Sequence, residues 1–192
     1  MVGFGGMEQH VIRPVRAYEW QKVKELRLDA LRDPVAPMAF LETVEQASAK
    51  PDAFWQDRAR GAAEGVHVRQ FVAEAGDGRW DGSVSVFIEA RGDTDLFERV
   101  IPENQGHVVG VFVRPEQRGS GLTDALFEVA LQWMWSREEP VLSRARLFVH
   151  EGNERAGGFY RRFGFRASGL VVPKPGDASS KELEYLYPRP AA

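Results

Sequence analysis

The chain has 192 residues, 43% of them hydrophobic, which suits one globular domain with a substantial core. Its 25 Lys and Arg against 28 Asp and Glu give a net charge of −3 without a dense basic run, which argues against a nucleic-acid-binding protein. The absence of cysteine excludes disulfides, thiolate ligands and a cysteine nucleophile, and the four histidines lack metal-binding spacing, so we expect no metal.

Residues 1–10 contain no basic segment followed by an apolar one, so they do not resemble a secretory signal. We predict that they form a flexible tail. No apolar run reaches the ~18 residues that a membrane-spanning helix needs. We therefore expect a cytoplasmic protein without membrane contact, whose single domain covers residues 11–190.

The first half of this domain is predicted to contain short strands and helices in alternation. Apolar residues spaced three and four apart indicate a helix at 19–31, and a glycine-rich turn between two apolar runs indicates a hairpin. The predicted elements are a strand at 11–16, a helix at 19–31, a helical stretch at about 43–60 interrupted by Pro51, strands at 69–74 and 84–90, and a polar loop or marginal helix at 91–106.

The second half continues the alternation. Residues 107–113 are nearly all apolar, as expected for a central strand buried on both faces. The predicted elements that follow are a helix at 122–134, a strand at 144–150, a helix that begins at Asn153 and stops at Gly164, and strands at 165–172 and 182–187 joined by a connection rich in Pro, Gly and Ser. This order predicts an α/β fold in one domain.

A glycine-rich loop, Arg118-Gly119-Ser120-Gly121, lies between the predicted central strand and the helix that follows it. Small residues at a helix N-terminus let an anion approach the backbone N–H groups, although an ordinary turn is the alternative. A Walker A loop would have Lys-Ser/Thr where this chain has Leu122-Thr123, and a dinucleotide fingerprint would have a small residue at Asp124. Neither nucleotide motif fits.

The loop resembles the acyl-CoA loop of the GCN5-related N-acetyltransferases (GNAT family), Gln/Arg-x-x-Gly-x-Gly/Ala after a strand that ends Val-x-Pro. Here 113–115 read Val-Arg-Pro and 116–121 read Glu-Gln-Arg-Gly-Ser-Gly, with Glu116 as the departure. A second block of the family, Asn-x-x-Ala-x-x-x-Tyr-x-x-x-Gly-Phe, matches 153–165 at every spacing. Both motifs occur in the family's order.

The resemblance implies a mixed central sheet of about six or seven strands flanked by helices, with splayed central parallel strands. It also implies an acyl-CoA-dependent N-acyltransferase, with acetyl-CoA as donor, that acts by direct attack of a primary amine in a ternary complex. A non-catalytic acyl-CoA-binding sensor on the same fold is the alternative. A nucleotide-binding regulator is a third interpretation. A small-molecule or peptide amine is the expected acceptor, and a homodimer is left open.

The resemblance also implies site residues. Tyr160 would be the general acid that protonates the departing sulfur, with a core tyrosine as the alternative. Gly110 would mark a bulge whose N–H binds the thioester oxygen, unless it serves packing alone. Asn153 would bond the pantetheine arm or act only as a helix cap. The residues implied in acyl-CoA binding are Val111, Phe112, Val113, Gln117, Arg118, Gly119, Ser120, Gly121, Leu122, Thr123 and Asn153.

The general base is not determined by the motifs. Glu89 at a strand end, Glu103 in the acidic loop and His107 at the start of the central strand are candidates, and each has an ordinary surface or strand-end residue as its alternative. A water chain to solvent is equally compatible. The acidic excess of the 91–106 loop hints at a cationic amine, but small amines, antibiotics, amino acids and protein N-termini all remain open.

Overall fold

The computed structural model describes residues 10–191, which form seven strands in one sheet. The strands are β1 (Val11–Pro14), β2 (Val68–Glu74), β3 (Trp80–Glu89), β4 (Gln105–Val113), β5 (Arg144–His150), β6 (Arg166–Lys174) and β7 (Asp177–Pro188). The helices are α1 (Trp20–Arg32), α2 (Ala36–Ala39), α3 (Val44–Ser48), α4 (Asp52–Glu64), α5 (Leu122–Trp135) and α6 (Glu154–Phe163), with 3-10 turns at Ala17–Glu19 and Pro115–Gln117.

The sheet has the order β1-β2-β3-β4-β5-β7-β6, and all neighbours are antiparallel except β4 and β5. The parallel pair is short, because it is in register only from Gln105 opposite Arg144 to His107 opposite Arg146. Beyond that point the two central strands diverge. The mixed sheet with splayed parallel strands predicted from the sequence is therefore confirmed.

Two apolar cores lie on the sheet. In one, α5 packs with α6 residues such as Tyr160 on sheet residues such as Val84 and Leu147. In the other, α1 and α4 pack around Trp55 and Val72. The three- and four-residue spacing of apolar positions in α5 explains how it presents a continuous buried stripe to the sheet.

Several predicted elements differ from the observed ones in their bounds. The helical stretch at 43–60 is two helices, since Pro51 cannot continue α3 and instead precedes α4. Strand β3 begins four residues before its predicted start, at Trp80. The segment before β4 is a loop closed by an isolated bridge between Thr94 and Val100. The connection between β6 and β7 is a tight turn at Gly176, whose φ is +83°, instead of a long loop.

The predicted tail lies outside the described residues except for His10. The His10 Nε2 atom lies 2.8 Å from Oδ2 of the buried Asp81, so this residue is attached to the domain. Within residues 10–191, no helix is long and apolar enough to cross a membrane. Nor do the described residues contain a group of three or more acidic or histidine side chains suited to a metal ion.

Candidate active site

A cavity of about 860 Å³ lies where β4 and β5 diverge. Its walls come from both central strands, from the loop before α5, from the start of α6 and from the segment between α1 and α3. Because the strands no longer pair there, residues of both β4 and β5 border the cavity. The cavity is where the two family-like motifs of the sequence meet.

The glycine-rich loop forms one end of the cavity. Gly119 and Gly121 line it and have φ values of +83° and +87°, a conformation that favours glycine. A Cβ atom built on either glycine would meet nothing within 4 Å, so the backbone there is open to a ligand. Arg118 fixes the loop, since its Nε donates to the Val113 carbonyl at 3.0 Å and its guanidinium pairs with Asp33. This arrangement fits an anionic group held against the start of α5.

The middle of the cavity is formed by the end of β4. Gly110 has a φ of +63°, and the pairing of β3 with β4 shifts between Ser83 and Ser85, as expected for a β-bulge. Val111, Phe112 and Val113 also line the cavity. The backbone here is thus turned away from regular sheet pairing at the point where the strands separate.

The start of α6 forms the opposite wall. The Asn153 side chain accepts a hydrogen bond from the Ala156 N–H at 3.2 Å, and both residues line the cavity. The Asn153 Oδ1 atom therefore caps α6 while the same residue lines the cavity. The predicted N-cap is confirmed.

Tyr160 lies one turn further along α6 and lines the same cavity. Its side chain is buried, with ring centroids 5.8 Å from Phe127 and 6.4 Å from Tyr185. Burial raises the pKa of Tyr160, because the phenolate would lose its hydration. The phenol therefore keeps its proton at neutral pH, which is the state a proton donor needs.

The candidate bases His107 and Glu89 are in contact. The His107 Nδ1 atom lies 2.9 Å from Glu89 Oε1, and Arg146 Nη2 donates to the same carboxylate at 2.8 Å. An ionised carboxylate only accepts hydrogen bonds, so the Nδ1 atom carries a proton, and in the neutral imidazole the lone pair is then on the Nε2 atom. His107 lines the cavity. Both residues are largely buried in the sheet face, not exposed at a strand end.

Glu89 itself is poorly suited to accept a proton at neutral pH. Burial by itself would raise its pKa, but hydrogen bonds from His107 and Arg146 outweigh burial and lower the pKa of Glu89 to about 2. Glu103, the third candidate, bonds to Ser143 and Arg144 and does not line the cavity. Of the three, His107 is the one whose ring borders the ligand space.

Most residues implied in acyl-CoA binding line the cavity, namely Val111, Phe112, Val113, Arg118, Gly119, Gly121, Thr123 and Asn153. The other three are Gln117, Ser120 and Leu122. The Leu122 side chain is buried in the core, and the Ser120 hydroxyl donates to the Gln117 carbonyl at 2.7 Å. Glu116, the departure from the family pattern, lies 3.5 Å from Arg79.

Sequence reasoning missed several charged and aromatic residues of the site. Arg146 lies inside β5 and joins Glu89 to Asp95 of the β3–β4 loop, with 3.0 Å between Arg146 Nη1 and Asp95 Oδ2. Phe97 of that loop packs on Phe148 of β5 with ring centroids 4.6 Å apart. Arg146 is a charged residue within a largely apolar strand, and this feature of the sequence could have indicated that it has a buried charged partner.

Comparison with known proteins identifies similar folds. The sequence profile described as "Acetyltransferase (GNAT) family" matches residues 20–165. One similar structure is the ribosomal-protein-S5-alanine acetyltransferase from Vibrio fischeri, with 17% identity, 98% of this chain and 97% of that chain covered, and a TM-score of 0.69. No curated protein sequence matches this chain.

Two further structures are similar. The PaiA N-acetyltransferase from Thermoplasma acidophilum, solved with coenzyme A, has 16% identity, 93% of this chain and 99% of that chain covered, and a TM-score of 0.67. A spermidine N-acetyltransferase (SpeG) chimera from Vibrio cholerae and hSSAT has 17% identity, 92% and 94% coverage, and a TM-score of 0.62. The profile spans more than half of the sequence and the splayed sheet agrees with these folds, so the chain belongs to the GNAT acetyltransferase family.

Proposed function

We propose that this chain is an N-acetyltransferase that moves the acetyl group of acetyl-CoA to a primary amine by direct attack, with both substrates bound together. The observation that carries the proposal is one continuous cavity with the glycine-rich loop at one end and both Tyr160 of α6 and His107 of β4 in its lining, where His107 is paired with Glu89 of β3. A direct reaction is the natural route, because the chain has no cysteine to carry an acyl group.

The residues suited to holding acetyl-CoA are those of the glycine-rich loop and the end of β4. The open backbone at Gly119 and Gly121 suits the pyrophosphate, and the exposed edge of Val111–Val113 suits the pantetheine arm as a neighbouring strand would. Acetyl-CoA supplies an activated thioester. The bulge at Gly110 would place a backbone donor near the thioester oxygen.

Proton transfer is assigned to His107 and Tyr160. A free ammonium cannot attack, so the amine must lose a proton, and the His107 Nε2 lone pair is available because Glu89 holds the Nδ1–H. As the new N–C bond forms and the C–S bond breaks, the Tyr160 hydroxyl donates its proton to the thiolate. The two groups line one cavity, as such a transfer requires.

A non-catalytic acyl-CoA sensor is the second candidate, since a fold does not determine chemistry. The discriminating experiment incubates the protein with acetyl-CoA and a panel of amines and follows thiol release. The enzyme predicts steady, amine-dependent release of CoA. Tight acetyl-CoA binding with no release for any amine would favour the sensor, and tight NAD or ATP binding without CoA binding would favour the nucleotide regulator.

A further inference from the structure

A largely buried carboxylate that accepts no hydrogen bond from residues 10–191 forms part of the cavity wall. Glu182 of β7 is 7% exposed and lines the cavity, and among residues 10–191 no side chain or backbone group donates a hydrogen bond to it. Lys174 acts on Glu182 electrostatically, but its ammonium group bonds to the Pro37 carbonyl instead. The Glu182 carboxylate therefore reaches the cavity without a hydrogen bond from the described residues, and a cationic group of a ligand would compensate its charge there.

The neighbouring carboxylate on the same strand shows the contrast. Glu184 accepts a hydrogen bond from the Ser168 hydroxyl at 2.6 Å, and its Oε1 atom lies 3.6 Å from Arg146 Nη1. Side chains two residues apart on a strand share a face of the sheet, so Glu182 and Glu184 point in the same direction. The protein compensates one of these two charges and leaves the other facing the cavity.

Strand register places Glu182 relative to the proposed reaction centre. Glu182 is opposite His150 and Glu184 is opposite Phe148, while His107 is opposite Arg146, so all these side chains share one sheet face. Strands β4 and β7 are separated only by β5, which places them about 10 Å apart across the sheet. The β5 residues opposite His107 and Glu182, namely Arg146 and His150, are four positions apart along the strand, so the backbone positions of His107 and Glu182 are roughly 16 Å apart.

Aromatic rings occupy the space between the two groups. The Phe148 ring centroid lies 5.6 Å from that of His107, and Phe97 packs against Phe148. All three rings line the cavity. The surface therefore offers a proton acceptor at one end, a negative charge at the other and an apolar strip between them.

We propose that Glu182 binds a second positive charge of the acceptor, so that the substrate is an aliphatic amine whose reacting nitrogen is joined by several methylene groups to another cationic nitrogen. The inference rests on the proposed function, because it takes His107 as the place where the reacting nitrogen lies. The methylene chain packs on Phe97 and Phe148, and the distal ammonium compensates the Glu182 carboxylate.

The cavity also contains a positive side chain that defines the competing outcome. Arg58 of α4 lines the cavity, and its nearest described aromatic contact is Trp55, at 6.0 Å from the ring centroid. If Arg58 selected the acceptor, an amine with a distal carboxylate would be preferred instead. Three amines of equal chain length separate these outcomes: hexylamine, diaminohexane and aminohexanoate.

The test compares the wild type with Glu182→Gln and with Glu128→Gln, an exposed carboxylate on α5 that serves as the matched control. We expect the wild type and the control to prefer diaminohexane, mainly through a lower KM. Glu182→Gln should lower kcat/KM for diaminohexane about 10- to 100-fold, as expected for losing a bond to a charged group, and leave hexylamine nearly unchanged.

Binding and stability provide readouts that do not need turnover. Diaminohexane should raise the Tm of the CoA-bound wild type and not that of CoA-bound Glu182→Gln. Burial raises the pKa of Glu182, so ionisation at neutral pH opposes folding, and the unliganded variant should melt above the wild type.

Three results would overturn the proposal. The first is an equal loss of kcat/KM for all three amines in Glu182→Gln. The second is a wild-type preference for aminohexanoate. The third is that diaminohexane shifts the Tm of neither the CoA-bound wild type nor CoA-bound Glu182→Gln. If no amine is acetylated but the Tm shift of the wild type disappears in Glu182→Gln, the charge-binding site stands and only the proposed reaction fails.

Discussion

Burial and hydrogen bonding set the protonation states of individual side chains in the site. It keeps the Tyr160 phenol protonated by raising its pKa, whereas in Glu89 the bonds from His107 and Arg146 overcome burial and keep the carboxylate ionised. The proposed donor on α6 is therefore protonated, whereas the carboxylate on β3 that orients the proposed base is ionised. Each state is the one that its role requires.

Tyr160→Phe should remove the proposed acid and little else. The ring and its packing on Phe127 remain, so we expect the Tm to change little. A positioned acid contributes ~10²–10⁴-fold, so kcat should fall by that order while acetyl-CoA affinity stays constant. Tyr185→Phe is the matched control, since it deletes a buried hydroxyl bonded to Arg161 outside the cavity lining. Normal turnover in Tyr160→Phe would assign the residue to the core alone.

His107→Gln should slow the reaction most at neutral pH. The variant lacks the Nε2 lone pair, so we expect kcat/KM to fall by about 10²-fold near pH 7. The deficit should shrink as pH rises, because an amine with a pKa near ~10.4 then reaches the site already deprotonated. The exposed His67→Gln is the control. A rate profile for His107→Gln parallel to that of the wild type at every pH would argue for a water chain instead.

At the scale of elements, the site depends on how strands and helices end. The parallel pair of β4 and β5 stops after His107, the loop after β4 turns through two glycines of positive φ, and α6 begins at a capped Asn153. These endings create an open backbone where regular pairing would otherwise close the sheet. The cavity is a consequence of where the elements stop.

Gly119→Val tests the loop. The valine side chain would occupy the open space over the backbone, so we expect CoA affinity to fall at least about 10-fold, measured by calorimetry. Valine is also strained at this φ of +83°. Gly78→Val is the matched control. Gly78 has a φ of +85° and equally open surroundings, so valine is equally strained there, but the residue lies in a hairpin outside the cavity. Equal CoA affinity in both folded variants would remove the loop from the binding site.

At the scale of the whole molecule, an ionic network joins the site to the rest of the sheet. Arg146 is 3% exposed and contacts carboxylates of β3, of the β3–β4 loop and of β7, namely Glu89, Asp95 and Glu184. Removing one partner of a buried ion pair leaves an uncompensated charge. The network therefore links the part of the cavity wall around His107 to the stability of the domain.

Acid should weaken the domain through Glu89. Its folded pKa of about 2 lies below the ordinary value of 4.5, so the carboxylate stabilises the fold above about pH 4.5 and loses that contribution as pH falls toward 2. The loss attributable to this group is about 3 kcal/mol at most. Denaturant unfolding between pH 7 and pH 2 measures it.

Glu89→Gln should be less stable than the wild type at pH 7, because Arg146 loses a partner, and should show a shallower acid slope. The exposed Glu64→Gln is the control, with an unchanged slope. An acid slope in Glu89→Gln identical to that of the wild type would show that other carboxylates carry the dependence.

Much of the fold followed from local patterns in the sequence. The apolar period of α5, the alternation of strands and helices, the glycine-rich loop and the Asn153-to-Phe165 spacing are short-range features, so they were readable without a structure. The first and last residues of an element were less predictable where tertiary contacts extend it, as in β3. The same is true of the β6–β7 connection, where Gly176 closes a tight turn. The short helix α2 has no clear period and was missed.

The sequence by itself thus determined the α/β class, the glycine-rich loop before α5 and the position of Tyr160 on α6, because each depends on neighbours in the chain. Only the tertiary structure decided which charges meet. Glu89, His107 and Arg146 come from three strands, and Arg146 is 57 residues from Glu89, so no spacing rule connects them. The position of β7 beside the cavity leaves the Glu182 carboxylate without a hydrogen bond from any of residues 10–191. Long-range pairing of strands selects these contacts.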